Sequence, residues 1–386
     1  MKWIPYGRQQ IDEEDVQAVA DVLRSDFLTQ GPAAPAFEKA ISDYCGAAHA
    51  VAVNSATSAL HIACLALGVG PGDRVWTSPI TFVASANCAR YCGASLDFVD
   101  IDPRTYNLSP EALEEKLARA ARAGQLPKVV IPVHFTGQSC DMEAIGVLAR
   151  RYGFRVLEDA SHAIGGTYGG TRVGDCHHSD VSVFSFHPVK IITTGEGGIA
   201  TTNDPTLARR MEFLRSHGIT REPGEMTHAP DGPWYYQQVT LGFNYRMTDI
   251  QAALGLSQLR RIDEWVARRH QIADTYDLDL APLPLTRPFR SPDGRSALHL
   301  YVVLVQEVTG RLRRQVYDVL RAGGVGVNVH YIPVHLQPDF ARFGLRKGDF
   351  PVAEDYYQRT LSLPMFPGLT EEQRSRVVGL LRGALT

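Results

Sequence analysis

Apolar residues recur along the chain in two rhythms. Short continuous runs of Val, Ile, Leu and Phe occupy 49–53, 74–77, 94–100, 128–134, 154–159, 181–186 and 197–202. Between them lie stretches with helical spacing at 12–24, 34–45, 59–67, 109–123 and 141–152, and the run at 12–24 opens with acids that suit the positive end of a helix dipole. Continuous apolar strands separated by helices predict a mostly parallel sheet covered on both faces. Beyond it, 248–269 reads as one long helix leading to a second unit. In that unit 298–305 and 325–331 are expected strands, and 311–321 and 371–381 expected helices. Prolines at 282, 284, 288 and 292 mark the connection. The expected organisation is α/β, a large domain over 1–255 and a smaller α+β domain over 256–386. The segment from Tyr6 to Gly31 packs either on the smaller unit or on a neighbouring subunit.

Ligands in such sheets bind beyond the carboxyl ends of the strands. Several reactive residues fall there. Glu158-Asp159 closes one apolar run, and Ser185 nearly closes another, followed by Phe186-His187-Pro188-Val189-Lys190 and the glycine-rich Thr193-Thr194-Gly195-Glu196-Gly197-Gly198. An amine at one strand end and a carboxylate at another suit a carbonyl cofactor with a ring nitrogen, pyridoxal phosphate: Lys190 as the Schiff-base lysine, Asp159 holding the ring nitrogen protonated. Taken alone, each also reads as ordinary structure, a lysine in a glycine loop and a helix cap after a strand. Asn54-Ser55-Ala56-Thr57-Ser58 runs from a strand into a helix start. Such a segment forms an anion cup from free N–H groups and hydroxyls, or simply a Ser/Thr cap.

Composition changes little. The 386 residues carry 39 Lys and Arg against 42 Asp and Glu, a net charge of −3 that gives no basic surplus for nucleic acid or an anionic membrane. The start has no apolar leader core and no run is long enough to span a bilayer, so a cytoplasmic location is expected. Six cysteines form no CxxC pair, and neither they nor His330 and His335, five apart, have metal-ligand spacing; no metal is expected. Gly68-Val69-Gly70-Pro71-Gly72-Asp73 follows a helix and enters a strand, the reverse of a dinucleotide loop, which disfavours a nicotinamide enzyme.

The segments 54–60, Glu158-Asp159-Ala160-Ser161-His162-Ala163, 185–190, 195–198 and Gly242-Phe243-Asn244-Tyr245-Arg246-Met247-Thr248-Asp249 together resemble the DegT/DnrJ/EryC1/StrS sugar aminotransferases. The resemblance covers essentially the whole chain. It implies the fold of aspartate-aminotransferase-like PLP-dependent transferases, fold type I, and assigns roles. Lys190 would hold the cofactor as an internal aldimine, with pyridoxamine phosphate formed midway, and Asp159 would pair with its ring nitrogen. Ser185, Ala56 and Thr57 would bind its phosphate, the alanine standing where family members often have glycine. Phe82 would lie on the ring and His162 near the ring oxygen or the sugar. Asn244 would reach the phosphate of the partner subunit's cofactor, which implies a homodimer with shared sites. Segments 26–32 and 329–338 are most similar to family members of the pseudaminic-acid pathway. Those use L-glutamate, leaving 2-oxoglutarate, to aminate C4 of a UDP-linked 4-keto-6-deoxy sugar. Tyr6, Thr29, Gln30, His330 and Tyr331 are the expected sugar contacts. The alternatives are another nucleotide-linked 3- or 4-keto sugar, or a catalytically silent regulator. Members that dehydrate sugars carry histidine at the lysine position, unlike Lys190.

Overall fold

The structure, a computed structural model, describes residues 3–306 and 313–385. After the N-terminal helices α1 (Glu13–Leu23) and α2 (Ala33–Cys45), strands and helices alternate: β1 (His49–Val53), α3 (Ala56–Ala66), β2 (Arg74–Thr77), α4 (Ala84–Tyr91), β3 (Ser95–Phe98), α5 (Pro110–Ala123), β4 (Val129–Ile131), α6 (Met142–Tyr152) and β5 (Arg155–Asp159). A hairpin, β6 (Thr167–Tyr168) and β7 (Thr171–Arg172), precedes β8 (Val181–Ser185), β9 (Gly198–Thr202) and α7 (Pro205–Arg215).

Seven strands form one sheet in the order β1-β9-β8-β5-β4-β2-β3. Neighbours from β8 to β3 run parallel, and β9 lies antiparallel to both β1 and β8. The continuous apolar runs follow from burial on both faces. Val129, Ile131, Leu157 and Val183 pack with α3 and α4. Their neighbours Val130 and Val156 pack with α5 and α6, and Phe184 and Ile199 with α2.

The expected helix over 248–269 is in fact two. Helix α8 (Asp249–Leu259) starts at a capping box of Thr248 and Gln251. The chain bends at Arg260 and Arg261, and α9 (Ile262–Leu280) continues well past residue 269. The bend is fixed by Arg261, whose guanidinium pairs with Asp12 and Asp15 of α1. Apolar periodicity runs through it and gives no sign of the break. The first turns of α9 bury Ile262 and Val266 against the large sheet, and later turns bury Ile272, Tyr276 and Leu280 in a second core. The expected division after residue 255 thus falls inside α8, whereas the core changes over within α9.

A ribbon of β10 (Ile219–Thr220) and β11 (Gln237–Gln238) precedes α8. The smaller sheet contains β12 (Leu285–Thr286), β14 (Tyr301–Val305) and β15 (Thr360–Leu363); β13 (Gly294–Arg295) joins the 167–172 hairpin instead. Helices α10 (Arg313–Ala322), α11 (Pro351–Arg359) and α12 (Glu371–Leu385) complete the unit. The first two residues of the helix expected over 311–321 lie outside the described residues. Segment 325–331 is not the expected strand. It makes single bridges, Val325 to Ile4 and Asn328 to Ser362. Gly326 lets the N-terminal chain approach closely, because a Cβ there would meet the Ile4 carbonyl at 2.9 Å. Of the N-terminal segment, Ile4 and Tyr6 therefore pack on the smaller unit, where Met365 also donates its N–H to the Tyr6 carbonyl at 2.9 Å, while α1 packs on α8 and Gly31 donates its N–H to Asp249.

Candidate active site

Strand β5 ends on Asp159, whose side chain shares the face of Leu157, toward α3 and α4. The carboxylate is 5% exposed. Oδ1 accepts the Ser161 N–H at 3.1 Å and Oδ2 accepts the Ser85 hydroxyl at 2.5 Å. Its backbone is bonded to the segment after β4, donating to Pro132 O and accepting from His134 N. Next to β5, β8 ends on Ser185, which pairs with Gly198 at the start of β9. The first turn of α3 closes over that pair. Ser55 caps it by accepting the Ser58 N–H at 3.1 Å, while the Ala56 and Thr57 N–H groups, in the first turn, have no intrahelical acceptor. A Cβ on Gly198 would lie 2.4 Å from the Ala56 nitrogen. Only glycine there lets the helix start, with its free donors, sit beside Ser185.

Lys190 ends the turn after β8, its N–H bonded to His187 O at 2.9 Å. Burial lowers its amine to about 8, against the charge of Asp159, which raises it. Three imidazoles surround this pair. Burial is the main cause that pushes each of them down, and the charge of Lys190 adds to it: His330 to about 3, and His162 and His299 well below their ordinary value. At neutral pH these rings are uncharged, which leaves Lys190 as the cation that faces Asp159. Among the described residues its Nζ makes no hydrogen bond.

Aromatic rings wall the space. The Tyr331 hydroxyl lies 3.2 Å from His162 Nε2, and the Phe82 ring stands 6.4 Å from that of Tyr331. Phe82 is 60% exposed, a large apolar side chain left uncovered by this chain. Tyr6 packs against His330 at 5.2 Å. His330 is committed within the protein: Asn328 Nδ2 lies 3.2 Å from its Nε2 and Ser362 Oγ 2.8 Å from its Nδ1. Since the amide NH2 only donates, Nδ1 carries the proton. Its ring shapes the wall and leaves no free ring nitrogen.

The structure thus brings together Lys190, Asp159, His162, His330, Tyr331, Tyr6 and Phe82, with Ser185, Ala56 and Thr57 at the adjoining cup. Thr29, Gln30 and Asn244 stand apart from that cluster, exposed. Thr29 bridges Thr248, and the Asn244 carbonyl accepts from Asn54 Nδ2 at 3.4 Å. Sequence reasoning passed over Ser85 and His299. Ser85 lies in the first turn of α4, past the end of β2, and meets Asp159 only through the tertiary fold. His299 carries no local signal; it reaches His162, ring centroids 4.4 Å apart, only through the tertiary fold.

These groups fit pyridoxal phosphate: helix-start donors and a hydroxyl for the phosphate, a buried carboxylate for the ring nitrogen, and an amine that makes no hydrogen bond among the described residues for the aldehyde. The fold and this set define a pyridoxal-phosphate-dependent transferase of fold type I. The chain belongs to the DegT/DnrJ/EryC1/StrS aminotransferase family, whose profile matches residues 9–382. It is 42% identical over 384 residues to the spore coat polysaccharide biosynthesis protein SpsC of Bacillus subtilis, covering 98% of this chain and 96% of that one. It is also 42% identical over 347 residues to the GDP-perosamine synthase of Caulobacter vibrioides, covering 89% and 88%. Among solved structures, Helicobacter pylori PseC, an aminotransferase involved in the biosynthesis of pseudoaminic acid, superposes with a TM-score of 0.91 at 31% identity, covering 100% and 99%. S. venezuelae DesV, solved with a ketimine intermediate, gives 0.88 at 32% identity and covers 100% of both chains. The chain is thus a sugar aminotransferase of a pyridoxal-phosphate-dependent family.

Proposed function

We propose that the chain moves an amino group from L-glutamate to C4 of a UDP-linked 4-keto-6-deoxy sugar, giving UDP-4-amino-4,6-dideoxy-N-acetyl-β-L-altrosamine for pseudaminic acid. The observation that carries the transamination is the placement of Lys190, in the turn after β8, close enough to Asp159 at the end of the neighbouring β5 for each to feel the other's charge. An amine of pKa about 8 is roughly one-tenth neutral at pH 7, enough to serve as nucleophile and base. When bound, pyridoxal phosphate supplies the electron sink that delocalises the carbanion charge. Lys190 holds the cofactor and moves the proton between cofactor and substrate carbon. Asp159 keeps the ring nitrogen protonated. The α3 start and Ser185 anchor the phosphate, and Phe82, Tyr331 and His162 exclude water around the ring.

The sugar assignment rests on segments 26–32 and 329–338 and is supported by the full-length likeness to PseC. The likeness to a GDP-perosamine synthase, which covers 89% of this chain at 42% identity, favours a second reading, a GDP-linked keto sugar. Tyr6, Tyr331 and, from a second copy, Thr29 and Gln30 would face the sugar nucleotide. The second copy is supported by uncovered apolar residues near those positions and near Asn244: Leu23, Phe27, Leu28, Trp234 and Leu241 are 48–75% exposed. In such a homodimer Asn244 would reach the partner's cofactor phosphate.

The test is the visible spectrum of the reconstituted protein as L-glutamate and then UDP- or GDP-linked 4-keto sugars are added. Colour that bleaches with glutamate and returns only with the altrosamine-series ketone supports the assignment. Return only with a GDP-linked ketone replaces the sugar and keeps the transamination. A protein that stays colourless with pyridoxal phosphate removes the role of Lys190 and favours a silent regulator.

A further inference from the structure

Asp159 is held by a hydroxyl relay that no part of the proposed reaction uses. Thr81 Oγ1 lies 2.7 Å from Ser85 Oγ, which lies 2.5 Å from Asp159 Oδ2. All three are buried, at 2%, 0% and 5% exposure. An ionised carboxylate only accepts, so Ser85 must donate to it. The competing acceptor, Phe82 O, is 3.4 Å away and much weaker. The Ser85 lone pair is then free to accept the Thr81 proton. The relay has one direction, Thr81 to Ser85 to Asp159. In a low-dielectric interior such chained bonds strengthen one another.

The hydroxyl has no better explanation in its own helix. Ser85 sits in the first turn of α4, whose N-cap Val83 supplies no side-chain bond. Serine is a poorer helix former than alanine, so α4 by itself would favour alanine there. The bond to Asp159 is what the hydroxyl adds.

We propose that Ser85, backed by Thr81, is a positioning residue that fixes the Asp159 carboxylate for its bond to the cofactor ring nitrogen. Ser161 N–H holds Oδ1 and Ser85 holds Oδ2. With both oxygens anchored, the carboxylate plane cannot turn, and each oxygen keeps a lone pair that would be available to the ring nitrogen. Phe82, proposed for the ring face, lies within the same 81–85 turn, so the relay ties the edge contact and the face contact into one rigid unit.

This rests on the reading that Asp159 meets the ring nitrogen, so the experiment tests the two separately. Protein loaded with ring-15N pyridoxal phosphate is examined by NMR in wild type, Ser85→Ala, Ser85→Thr, Thr81→Val and Asp159→Asn, with cofactor affinity measured by titrating the apo-proteins. Ser85→Ala is expected to move the nitrogen resonance toward the unprotonated value, weaken cofactor binding several-fold and lower kcat about tenfold, with KM for the keto sugar within twofold. Thr81→Val should act in the same direction by twofold to threefold, and Ser85→Thr should restore all three readouts. If Asp159→Asn shifts the resonance but Ser85→Ala and Thr81→Val do not, the positioning role is wrong. If Asp159→Asn leaves the resonance unmoved, the reading of Asp159 itself fails. Should Ser85→Ala be unstable, Thr81→Val decides, since it removes the backing donor and leaves Ser85 in place.

Discussion

Gly198 and Ala56 approach so closely that a methyl group on the glycine would stand 2.4 Å from the Ala56 backbone nitrogen. That contact brings the free donors of α3 beside Ser185. Gly198→Ala should push the helix start away and spoil the phosphate cup while the sheet survives. The expected result is at least a tenfold rise in the pyridoxal phosphate dissociation constant, with a stability loss of about 1–3 kcal/mol from overpacking. Cofactor titration of the apo-protein, beside urea unfolding, separates the two. Unchanged affinity would mean that the cup is not the phosphate site.

The amine of Lys190 links pH to stability. Its value falls from the ordinary 10.5 to about 8, burial being the main cause. The folded chain therefore gives up this proton more readily than the unfolded chain. Stability is diminished below pH 8 and regained as pH rises from about 8 through 10.5. Apo Lys190→Met should be more stable than wild type by about 1–3 kcal/mol at pH 7, with the advantage shrinking as pH rises and lost only above the ordinary 10.5. Urea midpoints of both apo-proteins across that range give the answer. A constant difference would show that the amine is not destabilised by burial.

What sequence made legible follows from which forces were local. Strands such as Val181–Ser185 stood out because both faces of the sheet are buried, so no polar alternation interrupts them. Asp159 stood out because an acid at the end of such a run has no reason of packing to be there. The bend at Arg260 and Arg261 was hidden because its cause, the pairing of Arg261 with Asp12 and Asp15, joins residues far apart in sequence. Ser85 and Asp159 are separated by 74 positions. Segment 325–331 looks like a strand by composition, but the bridge to Ile4 and the bonds of His330 with Asn328 and Ser362 replace regular pairing.

Behind Asp159, on the opposite face of β5, Glu158 forms a separate buried network. His134 Nε2 lies 2.5 Å from Glu158 Oε2, and the Ser179 hydroxyl donates to Oε1. His134 Nδ1 accepts the Cys140 N–H at 3.1 Å, which leaves the proton on Nε2 to be donated to the carboxylate. His134→Ala would strand a buried carboxylate with one partner and should cost about 3–5 kcal/mol. Because the network faces away from Lys190, cofactor affinity measured well below the unfolding midpoint should stay within twofold. A large affinity loss without a stability loss would instead place this histidine in the site.

Asn244 offers the sharpest test of shared sites. Its side chain is exposed and, among the described residues, makes no hydrogen bond, while its backbone lies beside Asn54 at the edge of the cup. If each site takes Lys190 from one subunit and Asn244 from the other, two crippled proteins can repair each other. In a mixed dimer of Lys190→Ala with Asn244→Ala, one site carries both lesions and the other carries neither. Random reassociation of equal amounts makes half the dimers mixed, so about a quarter of all sites become intact. The mixture should recover roughly that fraction of wild-type turnover, above the Lys190→Ala protein, which is silent, and the Asn244→Ala protein, which is expected to be weak in cofactor binding. Turnover equal to the average of the two separate variants, with subunit exchange verified by mass, would mean that each site is built from one chain and that Asn244 serves only its own subunit.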